Sequence, residues 1–160
     1  MLPFCQRCTG LYVGAALALA VHLVLRPRPT SPLLWLYGLM LLVMVPFGYH
    51  WVPQGGVLRT LTGQVFAAGL VGYLWLLPAG LLGVRQRAGP VTWWGCGLCL
   101  LASLAILPVV ALWGGRPAAW ALAALGCVGL ACLAVLAAAN ILLLAAAAGR
   151  LMLLRRRLTP

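Results

Sequence analysis

Residues 9–25 read TGLYVGAALALAVHLVL, an apolar run that contains no arginine, lysine, aspartate or glutamate. As an α-helix this run would rise about 26 Å, close to the roughly 30 Å hydrocarbon core of a bilayer. The rest of the chain is similar, since 65% of its 160 residues are hydrophobic and only 7% are charged. Lipid offers no partner for unpaired backbone groups, and helices pair theirs internally. The sequence therefore predicts an all-α, polytopic bundle of transmembrane helices.

Clusters of proline, glycine and arginine divide the chain into about five expected spans within a single membrane domain. The expected spans are residues 9–25, 33–49, 57–82, 91–113 and 118–148, followed by a basic tail at 150–160. Apolar sequence continues to about residue 154, which is further than the last span needs. We therefore expect this segment to tilt, to break near Gly149, or to leave the bilayer as a helix that carries the last arginines.

All eleven basic residues are arginines, and the chain contains no aspartate or glutamate. This composition excludes catalysis by paired carboxylates, Mg²⁺ or Ca²⁺ sites built on acidic side chains, and Asp/Glu proton relays. The arginines flank the apolar runs, a pattern typical of topology signals and anionic lipid headgroups rather than of nucleic-acid binding. We expect the bilayer, with anionic headgroups on the arginine-rich side, to be the partner.

The arginines also predict an orientation, because cytoplasmic loops carry the arginine excess. Five alternating spans place three arginines on one side of the membrane and eight on the other. The smaller set is Arg7, Arg59 and Arg116; the larger set is Arg26, Arg28, Arg85, Arg87, Arg150, Arg155, Arg156 and Arg157. We therefore expect a multi-pass protein of the cell membrane, with its N-terminus outside and its C-terminus in the cytoplasm.

Small residues recur every four positions in the first and third expected spans, as in Gly10, Gly14 and Ala18, and again in Gly63 and Ala67. Small side chains let helix backbones approach closely in lipid. We interpret these positions as contacts between helices of one chain, with a homo-oligomer as the alternative.

The sequence FCQRCTGLY at residues 4–12 places two cysteines just before the first span. Cys5 and Cys8 lie at i and i+3, on one face of a helix. Such a pair is half of a tetrahedral zinc or iron–sulfur site, a thiol redox pair, or a structural element. Arg7 would favour a thiolate here. The spacing alone leaves all three alternatives open.

Other residues were weighed as partners for this pair. Cys96 and Cys99 are expected a bilayer away, and Cys127 and Cys132 are expected to act as packing residues. His50 is expected on the side of Cys5 and Cys8, and would give zinc or iron three ligands, one short of a closed structural zinc site. His22, near the other end of the first span, is interpreted as an interfacial or packing residue. Arg59 is expected to snorkel to headgroups, with carbonyl or anion binding as alternatives.

PFCQRCTGLYVG at residues 3–14, followed by LRTLTG at residues 58–63, resembles the prokaryotic membrane-protein family called DUF2085. The resemblance covers residues 3–63 and carries no established activity. The family pattern resembles P-x-C-x-R-C-T-G-I-Y-x-G and a later L-R-x-x-T-G. The matching positions are Cys5, Arg7, Cys8, Thr9, Gly10, Tyr12 and Gly14, and then Leu58, Arg59, Thr62 and Gly63.

Two departures from the family pattern bear on the metal hypothesis. The resemblance implies an upstream segment with a Cys-His pair, and this chain starts after it, as a truncated or mis-started reading frame would. Together with Cys-x-x-Cys, that pair would complete a ligand set for zinc or iron, of which this chain would lack half unless His50 substitutes. The family also tends to carry an aspartate after the second span, where this chain has His50 or a neighbour.

The sequence thus predicts an integral membrane protein with a polar cluster at the outer mouth of the bundle, either structural or metal-binding. The predicted cluster consists of Cys5, Arg7, Cys8, His50 and Arg59. The main alternative is a membrane thiol–disulfide oxidoreductase that uses Cys5 and Cys8. The third is a transporter subunit for a small solute, which the missing acidic residues disfavour.

Overall fold

A computed structural model describes residues 5–49, 51–85, 97, 101, 104–105 and 115–158. All regular elements in this part of the chain are helices, which confirms the all-α prediction. The helices are α1 (Gln6–Leu25), α2 (Ser31–Leu42), α3 (Met44–Gly48), α4 (Gly56–Leu81) and α5 (Arg116–Leu158). Together they form a bundle.

Four helical segments in the described part are long and apolar enough to cross a membrane. They are Gln6–Leu25, Ser31–Gly48, Gly56–Leu81 and Arg116–Met152, and they correspond to the first, second, third and fifth expected spans. The fourth expected span, 91–113, lies outside the described residues but for a few isolated positions. The second span is divided at Val43 into α2 and α3. The division falls just before Pro46, which has no N–H to donate to the carbonyl four residues earlier.

The helix α5 is continuous over 43 residues, from Arg116 to Leu158. Its length of about 64 Å is roughly twice the hydrocarbon thickness of a bilayer. Of the three alternatives expected for this segment, the break near Gly149 is therefore excluded. Gly149 follows four alanines, and a single glycine costs only about 1 kcal/mol relative to alanine, too little to end a helix of strong helix formers.

Helices α1, α4 and α5 run in the same direction, as predicted for the first, third and fifth of alternating spans. Along α1 and α4, the Thr60 hydroxyl donates to the Gln6 carbonyl, and Gly14 lies against Gln64 further on. Along α5, Gly129 packs on the backbone of Tyr12, and a later residue, Asn140, reaches α4. The three helices therefore begin at one end of the bundle, which we call the N-terminal end.

The core lies mainly between α1 and α4 and is built from small side chains. Its buried members include Ala15, Ala18, Ala67, Ala68 and Val71. A Cβ on Gly10 would overlap the Thr60 carbonyl group, and a Cβ on Gly63 would lie 2.5 Å from the Arg7 carbonyl oxygen. The predicted packing of these glycines within the chain is thus confirmed. The close approach fixes the start of α1 against the start of α4.

Candidate thiol site at the N-terminal end of the bundle

Cys5 is the N-cap of α1, and its side chain performs the capping. The backbone N–H of Cys8 donates to Cys5 Sγ over 3.2 Å, and the Thr9 hydroxyl donates to the Cys5 carbonyl over 3.2 Å. The bond to Sγ satisfies one of the N–H groups that the first turn of a helix leaves unpaired. The Cys5 sulfur thus accepts the capping hydrogen bond that a serine or aspartate oxygen usually accepts at the N-cap position. The helix therefore begins at Gln6, three residues before the expected start of the span.

The Sγ atoms of Cys5 and Cys8 lie 2.6 Å apart, and both cysteines are free. Cys5 is exposed and Cys8 is half-buried. The hydrogen bond with the Cys8 side chain lowers the pKa of Cys5, and the Cys8 backbone N–H lowers it further. The nearby charge of Arg7 acts in the same direction, with a smaller effect. Cys5 is thus an accessible thiol with a lowered pKa, and Cys8 is its less exposed neighbour.

The 2.6 Å distance between the two sulfurs is shorter than the distance between two thiolates bound to one zinc ion. Two thiolates on one tetrahedral zinc, each about 2.3 Å from the metal, lie about 3.8 Å apart. No group of three histidine, cysteine or acidic side chains that could hold a metal occurs in the described part of the chain. His50, the predicted third ligand, lies outside the described residues. The two sulfurs are thus in direct contact, and the described residues add no third ligand beside them.

Arg7 ties the first turn of α1 to the segment that precedes α4. Its Nη2 donates to the Phe47 carbonyl and to Gln54 Oε1, each over 3.1 Å, and Gln54 Nε2 also donates to the Phe47 carbonyl over 2.5 Å. Arg7 Nε is buried, and no partner for it occurs among the described residues. Sequence reasoning missed Gln54, whose only signal was an amide in the turn WVPQGG. We call Cys5, Cys8, Arg7 and Gln54 the thiol cluster.

The other predicted site residues mostly build the α1–α4 contact. Gly10, Gly14 and Gly63 lie in this contact, Thr9 and Thr62 are buried, and Tyr12 presents its backbone to α5. The Thr62 hydroxyl donates to carbonyls of its own helix, at Leu58 and Arg59. Arg59 is exposed in the first turn of α4, at the same end of the bundle as Cys5. The structure therefore brings Cys5, Arg7 and Cys8 together and leaves Arg59 exposed at the same end of the bundle.

A second polar cluster lies toward the other end of α1. His22 is buried, its Nδ1 lies 2.7 Å from the Ala18 carbonyl oxygen, and its Nε2 lies 2.9 Å from the Tyr37 hydroxyl. Because a carbonyl only accepts, Nδ1 carries the proton, and Nε2 of the neutral ring accepts from Tyr37. Tyr73 packs edge-on against Tyr37 and donates to the Leu34 carbonyl over 2.7 Å. His22, Tyr37 and Tyr73 form the histidine cluster, and the interpretation of His22 as a packing residue is confirmed.

Gln64 is a buried polar residue that the sequence did not single out. It is 1% exposed, and it faces α1 at Gly14. Neither its Oε1 nor its Nε2 has a hydrogen-bond partner in the part of the chain that the structure describes.

The apolar helices and their close-packed bundle define the class of this molecule as a helical integral membrane protein. Residues 1–73 match the sequence model of the family described as "Predicted membrane protein (DUF2085)". The match confirms the resemblance seen in the two motifs, and the matched part of the chain includes the cysteine pair and the glycines of the α1–α4 contact. Comparison with curated proteins and with solved structures finds no match.

Proposed function

We propose that this integral membrane protein exchanges thiols and disulfides through Cys5 and Cys8. The observation that carries the proposal is the 2.6 Å separation of the two Sγ atoms, with Cys5 exposed at the N-terminus of α1. Thiolates are the nucleophiles of disulfide exchange, and helix N-termini and Cys-x-x-Cys pairs favour them. The lowered pKa of Cys5 supports its role as the attacking thiol.

The reaction needs only a disulfide substrate. The Cys5 thiolate attacks one sulfur of that disulfide, a mixed disulfide forms, and one substrate thiolate leaves. Cys8 then loses its proton and attacks Cys5 Sγ, which closes the Cys5–Cys8 disulfide and releases the second substrate thiolate. The substrate disulfide gains two electrons and the cysteine pair loses two. The same steps in reverse let the oxidised pair form a disulfide in a dithiol substrate.

The placement of the pair agrees with this chemistry. We propose that the N-terminal end of the bundle faces outward, because Arg7, Arg59 and Arg116 are fewer than the arginines expected on the opposite side. Outside the cytoplasm, disulfides form and persist. We further propose that the arginine-rich end faces the cytoplasm and contacts anionic headgroups. Arg7 and Gln54 then act as positioning residues, because they hold the first turn of α1 in place.

The test uses the purified full-length protein in detergent, after reduction and removal of the reductant. A chromogenic aromatic disulfide is added, and thiolate release is followed together with the mass of the peptide that carries Cys5 and Cys8. We expect rapid release of two thiolates and a Cys5–Cys8 disulfide. Cys5→Ser should lose the rapid phase, and Cys8→Ser should stop at the mixed disulfide. Cys132→Ser, on α5, is the matched control and should behave as the unchanged protein.

Elemental analysis of the same preparations supplies the opposing outcome. About one zinc or iron per chain, lost in Cys8→Ser, would overturn the proposal in favour of a metal site. Absence of both metal and rapid exchange would overturn it in favour of a structural pair that caps α1.

A further inference from the structure

The N-terminal end of the bundle carries positive charge that no acidic side chain balances. Arg7 and Arg116 lie at the starts of α1 and α5, and Arg59 lies in the first turn of α4. The three helices are parallel, so their N-termini add positive partial charge at this same end. The whole chain contains no aspartate or glutamate. A substrate that reaches Cys5 therefore approaches a positively charged surface.

Arg7, which lies between the two cysteines in the sequence, is an example of this unbalanced positive charge. Its hydrogen-bond acceptors among the described residues, the Phe47 carbonyl and the Gln54 amide, are neutral groups. Both bonds are made by Nη2, and they leave the full charge of the guanidinium in place because neither acceptor is charged. Arg7 adjoins Cys8 in the sequence and is two residues from Cys5.

We infer that the substrates of the thiol cluster are disulfides flanked by carboxylates. This inference rests on the proposed exchange function and specifies its substrate class. A field of one sign raises the local concentration of oppositely charged reactants, and it increases their association rates by tenfold or more at low ionic strength. The same positive field lowers the local concentration and the association rate of cationic disulfides. The leaving thiolate adds one more negative charge as the exchange proceeds, and the arginines stabilise that charge.

The test compares three small disulfides that share the same reactive bond. They are 3,3′-dithiodipropionate, which is a dianion, 2-hydroxyethyl disulfide, which is neutral, and cystamine, which is a dication. Each rate is divided by the rate with free 2-mercaptoethanol, because leaving-group pKa alone changes reactivity. We expect a normalised preference for the dianion over the neutral disulfide of about tenfold at 10 mM salt, and little preference at 1 M salt.

Variants locate the source of the preference. Arg59→Gln should reduce the dianion-to-neutral ratio by about threefold, on the scale of steering by single charges. Arg28→Gln, at the opposite end of the bundle, is the control and should leave the ratio unchanged. Two synthetic peptide disulfides, one flanked by glutamates and one by glutamines, then distinguish a peptide substrate from a small molecule. A glutamate preference as large as that for the dianion indicates that peptides are accepted.

The possible outcomes distinguish this inference from the proposed exchange function on which it rests. Absence of exchange with all three disulfides overturns the proposed function. If all three disulfides exchange and their normalised rates depend on neither substrate charge nor salt concentration, only the assignment of carboxylate-flanked substrates is overturned.

Discussion

The thiol cluster and the histidine cluster occupy the two ends of α1, and they differ in how their polar groups are satisfied. In the histidine cluster, both ring nitrogens of His22 have a close partner, and the ring is buried. In the thiol cluster, Cys5 is exposed and its nearest partner is another thiol, while Arg7 Nε has no partner among the described residues. The polar groups of His22 are therefore satisfied, whereas the thiol cluster keeps an exposed thiol and a guanidinium N–H without a partner among the described residues.

This difference shows that residue type alone does not mark a site in this protein. Histidine is the commonest metal ligand and acid–base residue, yet His22 is fully engaged in joining α1 to α2. Cysteine in lipid-embedded helices usually packs as a small apolar residue, yet Cys5 caps a helix at the end of the bundle. Exposure and the number of satisfied hydrogen bonds separate the structural cluster from the candidate reactive one.

The largest effect should come from separating α1 from α4, because both clusters depend on that contact. In Gly10→Ala the new methyl group would overlap the Thr60 carbonyl, which belongs to a helix backbone and cannot move aside. We expect a loss of about 3 kcal/mol or more in the free energy of unfolding. The loss is measured by circular dichroism during SDS-induced unfolding in mixed micelles.

The matched control is Gly80→Ala in α4, where a Cβ would meet no neighbouring side chain or helix within 4 Å among the described residues. It should be neutral or stabilising by up to about 1 kcal/mol, since alanine is the better helix former. Equal stability of the two variants would mean that α1 and α4 are not closely packed at Gly10.

The histidine cluster is best tested by removing one hydroxyl. Tyr37→Phe keeps the ring and leaves His22 Nε2 buried without its donor. We expect unfolding to become easier by about 1–2 kcal/mol, in line with hydrogen bonds between helices in membranes. Tyr49→Phe, at an exposed tyrosine stacked on Trp51, is the control and should change stability little. The rate of thiol exchange should not change, and a slower rate in Tyr37→Phe would contradict the independence of the two clusters.

Much of the fold follows from the sequence because the apolar runs have the length of a bilayer. The helices α1, α4 and α5 lie where hydropathy and the proline and glycine clusters place them. The glycine spacing also predicted which faces meet, since small residues in lipid are useful mainly for close contact. The cysteine pair and Arg7 were found from a local motif of a few residues, and local spacing can be read without a structure.

The remaining features depend on contacts that are distant in sequence. Gln54 reaches Arg7 across 47 positions, and His22 reaches Tyr37 across a turn. No periodicity predicts such pairs, because each involves one polar residue on each side. The sequence also left open whether α5 breaks at Gly149, and the strong helix formers around this glycine explain why it does not. Arg59, grouped with the cysteines from sequence, lies exposed at the same end.

A smaller effect, in the opposite direction, is expected at Gln64 between the two clusters. Gln64→Met keeps nearly the same volume and removes a buried amide that has no partner in the described part of the chain. We expect the free energy of unfolding to rise by about 1 kcal/mol, because the desolvation cost of the amide disappears. Asn140→Leu is the contrasting variant, since Asn140 Nδ2 donates to the Leu74 and Leu136 carbonyls over 2.8 Å each. It should lower stability, and a loss in Gln64→Met as well would indicate that Gln64 has a partner.

The subtlest expected effect concerns the pH at which Cys5 reacts, and it tests what makes the thiol cluster open to chemistry. Hydrogen bonding with the Cys8 side chain is the main cause of the lowered pKa of Cys5. Alkylation by iodoacetamide requires the thiolate, so its rate at Cys5 should rise at a lower pH than for an ordinary cysteine. In Cys8→Ala the side-chain bond is lost while the backbone N–H remains, so the midpoint should move to higher pH without reaching that of an unperturbed thiol. The midpoint is measured from the mass of the Cys5 peptide after brief labelling across a pH series. An unchanged midpoint in Cys8→Ala would mean that the helix N-terminus alone activates Cys5, and Cys8 would then serve only to resolve the mixed disulfide.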